Sequence, residues 1–162
     1  MKNALEFFQL GSEVVRYHTV ATLVKETVGH HSHGVALMCL FLEPAASHRL
    51  LISALTHDLA EHVTGDIPSP AKRLYGIGTQ VSHLEHDLIA GAGLPNIFLS
   101  EEERRVLKLA DLAQGALFCS REISLGNRNM VKVLDRYLSY AEELNPIGRE
   151  RELFNIIEEM AK

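Results

Sequence analysis

Thr56-His57-Asp58-Leu59-Ala60-Glu61-His62-Val63-Thr64-Gly65-Asp66 is the stretch on which the reading of this chain turns. It sets two adjacent ligand-type side chains, His57 and Asp58, between the core-type runs Leu50-Leu51-Ile52-Ser53-Ala54-Leu55 and Leu59-Ala60. Neighbouring residues on a helix point about 100° apart, so these two converge on one point only near a helix end or bend. Glu61, four residues after His57 and three after Asp58, shares their side of a helix. Imidazole and carboxylate together suit a divalent ion of the zinc, manganese, cobalt or iron type. The dipeptide alone reads as a buried hydrogen-bonded pair. Its company shifts the balance.

Upstream, Val28-Gly29-His30-His31-Ser32-His33-Gly34-Val35 carries three histidines that cannot all face one way. Val28, His31, Val35, Met38 and Leu42 fall on one helical stripe, which turns His31 inward, where an imidazole needs a hydrogen bond or a metal. His30 and His33 fall to the sides. Downstream, Asp111 lies in the apolar run Leu109-Ala110-Asp111-Leu112-Ala113, where an unpaired carboxylate is costly; Lys108, three residues earlier, shares its face. Arg16-Tyr17-His18 and Lys72 say nothing alone.

The rest of the chain has the helical period and no convincing strand alternation, so the expected class is all-α. Helices are expected from N-cap Asn3 to Gly11, over Val28–Leu42, from Ser47 through His57-Asp58, and through Leu59–Val63 to a stop at Gly65. Thr64–Pro70 reads as loop, Ile77–Ala90 as helix, and Gly91–Asn96 as a break. Ser100 with Glu103 forms a capping box opening a long helix to about Leu125, and two more helices flank Asn145-Pro146. The 162 residues fit one domain, 1–162. A net charge of −5 argues against a nucleic-acid-coating surface. Neither a secretory signal nor a membrane span is expected, and Cys39 and Cys119 read as buried thiols, all consistent with a cytoplasmic protein.

An isolated histidine, then His57-Asp58, then a distant Asp111, all on helices, resembles the signature of HD-domain phosphohydrolases. The run from His57 to Lys72, with Arg16-Tyr17-His18 before it and Leu107–Leu112 after it, resembles the bacterial 5′-deoxynucleotidases. It is similar also to the small phage dATP triphosphohydrolases. The resemblance spans about residues 16–127 and implies a single helical HD-domain bundle.

It implies that His31, His57, Asp58 and Asp111 bind a divalent ion (Co²⁺, Mn²⁺, Zn²⁺ or Fe²⁺). Glu61 and Asp66 would handle the attacking water, with room for a second Mg²⁺. Arg16, Lys72 and Lys108 would bind phosphate oxygens, and Tyr17 replaces the family's usual tryptophan beside the base. The implied reaction is dATP plus water to deoxyadenosine plus triphosphate, which in the phage group removes dATP from viruses that use 2-aminoadenine. A 5′-deoxynucleotidase and a non-catalytic nucleotide-sensing module are the alternatives. The implied partner is a small deoxynucleotide, with no nucleic acid and no membrane. A homo-oligomer, such as a hexameric ring, is implied by the resemblance and by the apolar excess of the C-terminal helices.

Overall fold

A computed structural model of the chain describes residues 2–95 and 97–162, so Asn96, in the break after the sixth helix, lies outside the described residues. The described residues fold into helices α1 (Lys2–Glu13), α2 (Val28–Leu42), α3 (His48–Thr56), α4 (Glu61–Thr64), α5 (Ser69–Leu74) and α6 (Gly78–Gly91), followed by α7 (Glu101–Ser124), α8 (Val131–Glu142) and α9 (Arg149–Glu159). A 3-10 turn at Arg128–Met130 leads into α8. The one β pairing among the described residues is an isolated bridge between Val15 and Thr27. The all-α expectation holds.

Helix α7 is the spine, with α2, α3, α8 and α9 packed around it. Its buried Leu109, Leu112, Ala116, Cys119 and Ile123 meet Met130, Leu134, Phe154 and Ile157 on one side. Ala110 meets Val35, Cys39, Leu50 and Ala54 on the other. The two cysteines are buried free thiols, as their apolar settings predict. Close approach of α8 needs Gly115, because a Cβ there would lie 2.8 Å from Tyr137 Oη and closer still to the ring. Gly115→Ala should therefore cost about 1–3 kcal/mol through overpacking, seen as a lower midpoint in urea without a change of slope.

The capping box forms as read: Ser100 Oγ accepts from Glu103 N at 3.2 Å, and Glu103 Oε2 accepts from Ser100 N at 2.8 Å. Glu103 does more than cap. Its Oε1 also accepts from Ser47 Oγ at 2.6 Å and Arg49 Nε at 2.8 Å, tying the start of α3 to the start of α7. These hydrogen bonds, Arg49's first, hold the Glu103 carboxyl down at about 2. The first of the helices so joined ends at His57, its C-cap, and the second carries Asp111.

Several boundaries differ from the sequence reading. Asn3 lies inside α1, which starts at Lys2 and runs on to Glu13. Ser69 and Pro70, read as loop, form the first turn of α5, where proline's missing N–H costs nothing. Helix α3 stops at Thr56, so His57-Asp58 sits in a turn, closed by Leu59 N to Thr56 O at 3.2 Å and Glu61 N to Asp58 O at 3.0 Å. The apolar residues of α8 and α9 are largely spent on the core, which removes that ground for expecting an oligomer. Large apolar side chains are instead exposed on α2, at Leu37, Leu40 and Phe41.

Candidate active site

The turn after α3 frees the backbone from helical regularity, and that freedom brings His57 and Asp58 together. His57 Nδ1 lies 2.9 Å from the Ala54 carbonyl, an acceptor, so Nδ1 carries the proton and Nε2 a bare lone pair. His31 is fully buried on α2 and is fixed the same way, its Nδ1 donating to Gln114 Oε1 on α7. Gln114 Nε2 in turn donates to Glu26 Oε1 at 2.8 Å, which sets the amide's orientation.

Both Nε2 atoms are buried and make no hydrogen bond with any described residue. They face Asp58 Oδ2 at 3.5 Å from His31 and 3.3 Å from His57. The ligand atoms of His31, His57 and Asp58 all lie within 4.8 Å of one another. Asp111 adjoins this triad, with Oδ1 3.3 Å from His31 Nε2 and Oδ2 accepting from Lys108 Nζ at 2.7 Å.

The protonation states suit a cation. Burial lowers the affinity of His57 for a proton, leaving a neutral imidazole. Asp58 is held below the usual carboxylate range against its burial, with the Arg16 guanidinium as the permanent positive charge beside it. Asp111 is held well below it, also against burial, by the ammonium of Lys108. Two bare imidazole nitrogens beside ionised carboxylates form the donor set a divalent ion takes up, so these residues fit a metal. Gln114→Leu should weaken divalent-ion binding by about 10–100-fold, because it frees the His31 ring and its tautomer; titration with Co²⁺ followed by its absorption checks this.

Around the triad opens a cleft of about 530 Å³. Arg16 enters on the segment between α1 and α2, pinned by Arg16 N to Glu26 O at 3.0 Å. Its Nη1 stands 3.5 Å from Asp58 Oδ2 and its Nε 3.7 Å from Glu26 Oε2. Tyr17 has φ 58, a left-handed conformation that a tyrosine holds only when its surroundings insist. Three contacts insist: Tyr17 N donates to Asp66 Oδ2 at 3.2 Å, the ring stacks on Phe118 at 4.9 Å, and the hydroxyl meets that of Tyr137 at 2.9 Å.

Glu61, first residue of α4, is buried beside the triad. Burial, then Asp58 and Asp66, push its carboxyl up to about 9, so it holds a proton at neutral pH. Lys72 of α5 lines the cleft with Nζ 3.6 Å from Glu85 Oε1. His30 and His33 are exposed on α2. His62 serves packing, with its Nδ1 2.8 Å from the Leu59 carbonyl and its ring edge-on to Phe7.

The structure thus gathers all the sequence-selected residues around one cleft, His31 from behind it. It adds residues the sequence reading passed over: Gln114 and Glu26 behind His31, Glu85 beside Lys72, and Arg104, Arg136 and Tyr137 on the α7–α8 wall. Gln114 had a signal, since it stands three residues after Asp111 on the same helix face. Glu122 had none. This buried carboxylate of α7 accepts from Leu23 N and Val24 N, each at 2.7 Å, and anchors the segment that carries Arg16.

An all-helical fold in which His31 of α2 meets His57 and Asp58 of the turn after α3 resembles the arrangement of an HD domain. The HD domain family model matches residues 13–89. A 5′-deoxynucleotidase of Yersinia pestis is 28% identical over 107 residues, covering 56% of this chain and 53% of that protein. One of Yersinia pseudotuberculosis matches equally. The chain spans about half the length of these curated relatives. Among solved structures, an HD phosphohydrolase of cyanophage S-2L, bound to dA and one catalytic Zn²⁺, superposes with TM-score 0.71 at 22% identity, over 96% of this chain and 95% of that one. An HD-domain phosphohydrolase of Listeria innocua gives TM-score 0.80 at 17% identity, over 98% and 88%. At these identities the likeness is one of fold.

Proposed function

We propose that the chain is a metal-dependent phosphohydrolase acting on deoxynucleotides, and that dATP is its substrate, cleaved to deoxyadenosine and triphosphate. The observation that carries this reading is the pair of tautomer-locked imidazoles, His31 and His57, with bare Nε2 atoms turned on ionised Asp58 beside a cleft lined by cations. His31, His57, Asp58 and Asp111 would hold the ion: Zn²⁺, Mn²⁺, Co²⁺ or Fe²⁺, with Glu61 and Asp66 able to share a second Mg²⁺. A divalent ion there supplies Lewis-acid polarisation of a phosphoryl oxygen and a more acidic water.

The protein's own groups do the rest. Arg16 and Lys108, beside Asp58 and Asp111, bind oxygens of the phosphate nearest the sugar, and Lys72 binds them from the α5 side. Without a second ion, Glu61, its carboxyl pushed up to about 9, is the group suited to protonating the departing sugar oxygen. Asp66 orients the attacking water while it fixes the Tyr17 backbone. Tyr17, backed by Phe118, offers an aromatic surface to the base.

The Yersinia relatives favour a second reading, a 5′-deoxynucleotidase that releases orthophosphate from deoxynucleoside monophosphates. A non-catalytic sensor fits less well, since the histidine and aspartate set is intact. Chromatographic product analysis with Co²⁺ or Mn²⁺ and separate dATP, dAMP, dGTP and ATP distinguishes them. Deoxyadenosine with intact triphosphate supports the proposal, and orthophosphate from dAMP with dATP untouched replaces it with the nucleotidase. No turnover with any metal leaves the sensor.

A further inference from the structure

The cleft's cations divide into two kinds. Three are held by carboxylates: Arg16 by Asp58, Lys72 by Glu85, Lys108 by Asp111. Arg104 of α7 and Arg136 of α8 also line the cleft but form no ion pair with any described residue. Arg104 donates one Nη1 bond to the Leu99 carbonyl at 2.6 Å, and Arg136 makes no hydrogen bond with any described residue. The cleft-lining residues within a turn of them on α7 and α8 are Leu107, Lys108, Val133, Tyr137 and Tyr140, none of them acidic. Arg104 is followed one turn later by Lys108, and Arg136 is preceded one turn earlier by Lys132. Like charges spaced four apart destabilise a helix. Glu143, at the end of α8, is taken: both of its oxygens accept from Arg73, whose guanidinium also stacks over Tyr140 at 3.7 Å.

The geometry points to Arg136, with Arg104, as a clamp for the outer phosphates of a nucleoside triphosphate, the feature that makes this cleft select triphosphates over monophosphates. The inference rests on the phosphohydrolase reading for where the innermost phosphate sits, and it goes beyond that reading in naming what holds the others. Asp111, Lys108 and Arg104 form one stripe of α7, on which Lys108 lies about 4.5 Å and Arg104 about 10.5 Å along the axis from Asp111. A phosphate at the histidine–aspartate centre reaches Lys108 and no further. A triphosphate chain runs on towards Arg104, in the cleft that Arg136 lines from α8 together with Val133 and with Leu107 of α7. Each guanidinium can fork onto two phosphate oxygens. The like-charge neighbours that weaken the empty helices become an advantage once a polyanion lies between them.

Both arginines are exposed, so their replacement leaves the core untouched. Calorimetric titration of the as-purified protein with tripolyphosphate and with orthophosphate, for wild type, Arg136→Gln and Arg136→Lys, reads the clamp without turnover. Arg136→Gln should weaken tripolyphosphate about tenfold, the scale of one charged hydrogen-bonded contact, with Arg136→Lys in between. The ratio of dATP to dAMP turnover efficiency should fall by a similar factor. Unchanged tripolyphosphate affinity, or an equal drop for both anions, overturns the clamp. If wild type hydrolyses no deoxynucleotide yet its tripolyphosphate affinity still depends on Arg136, the phosphohydrolase reading falls and the clamp stands.

Discussion

Asp58→Asn should lower deoxynucleotide turnover by about a thousandfold or more, the scale on which loss of a central charged group acts. The reason is position. Asp58 Oδ2 is the one atom approached by His31 Nε2, His57 Nε2 and Arg16 Nη1, at 3.5, 3.3 and 3.5 Å. An amide there keeps the shape but supplies no charge, so a divalent ion loses its anionic anchor and Arg16 a carboxylate partner. Metal content by elemental analysis should fall together with kcat. Stability should follow in the metal-free protein. A carboxyl held below its ordinary range stabilises the fold above that range and loses its contribution as the pH falls through the folded value. The variant should therefore melt below wild type at pH 7, and the gap should close under acid. An inactive variant that kept full metal and unchanged melting would place Asp58 in catalysis alone and remove it from the ion's ligands.

Glu61→Gln should do the opposite to stability and the same to activity. Its carboxyl is pushed up to about 9 by burial and by Asp58 and Asp66, far above its ordinary value of 4.5. Between those two values the native state keeps a proton that the unfolded chain releases, so stability drains away as pH rises. An amide carries no such penalty. The metal-free variant should match wild type near pH 4 and exceed it by about 2 kcal/mol or more at pH 8, given about 1.4 kcal/mol for each pKa unit. Turnover should nevertheless fall by about a hundredfold to ten-thousandfold if this carboxyl moves the proton. Thermal melts across pH, beside kcat, test both halves. A variant less stable than wild type at pH 8 would show that Glu61 is ionised and paired in the native protein.

Much of this protein was legible one residue at a time, because helical period and capping chemistry are local. Val28 to Leu42 forms a helix with the bounds its pattern set, Ser100 and Glu103 close the capping box, and the stripe through Val28 and Val35 turns His31 into the core. Local geometry also lets His57 and Asp58 converge only where a helix fails, and α3 does fail there. What local pattern could not carry was any partnership between distant segments. Glu122 reads as an ordinary helix glutamate until Leu23 and Val24 arrive to donate to it. Arg136 reads as solvated charge until α8 docks on α7, an approach permitted by Gly115 beneath Tyr137.

The sequence by itself determined the helices, the inward face of His31 and the residue types that can grip a divalent ion, since each depends on neighbours within a turn or two. Only the tertiary structure decided that Gln114 and Glu26 stand behind His31, that Glu61 keeps its proton, and that α7 and α8 line one cleft. Those facts depend on burial and through-space charge, which belong to the packed chain and to no segment of it.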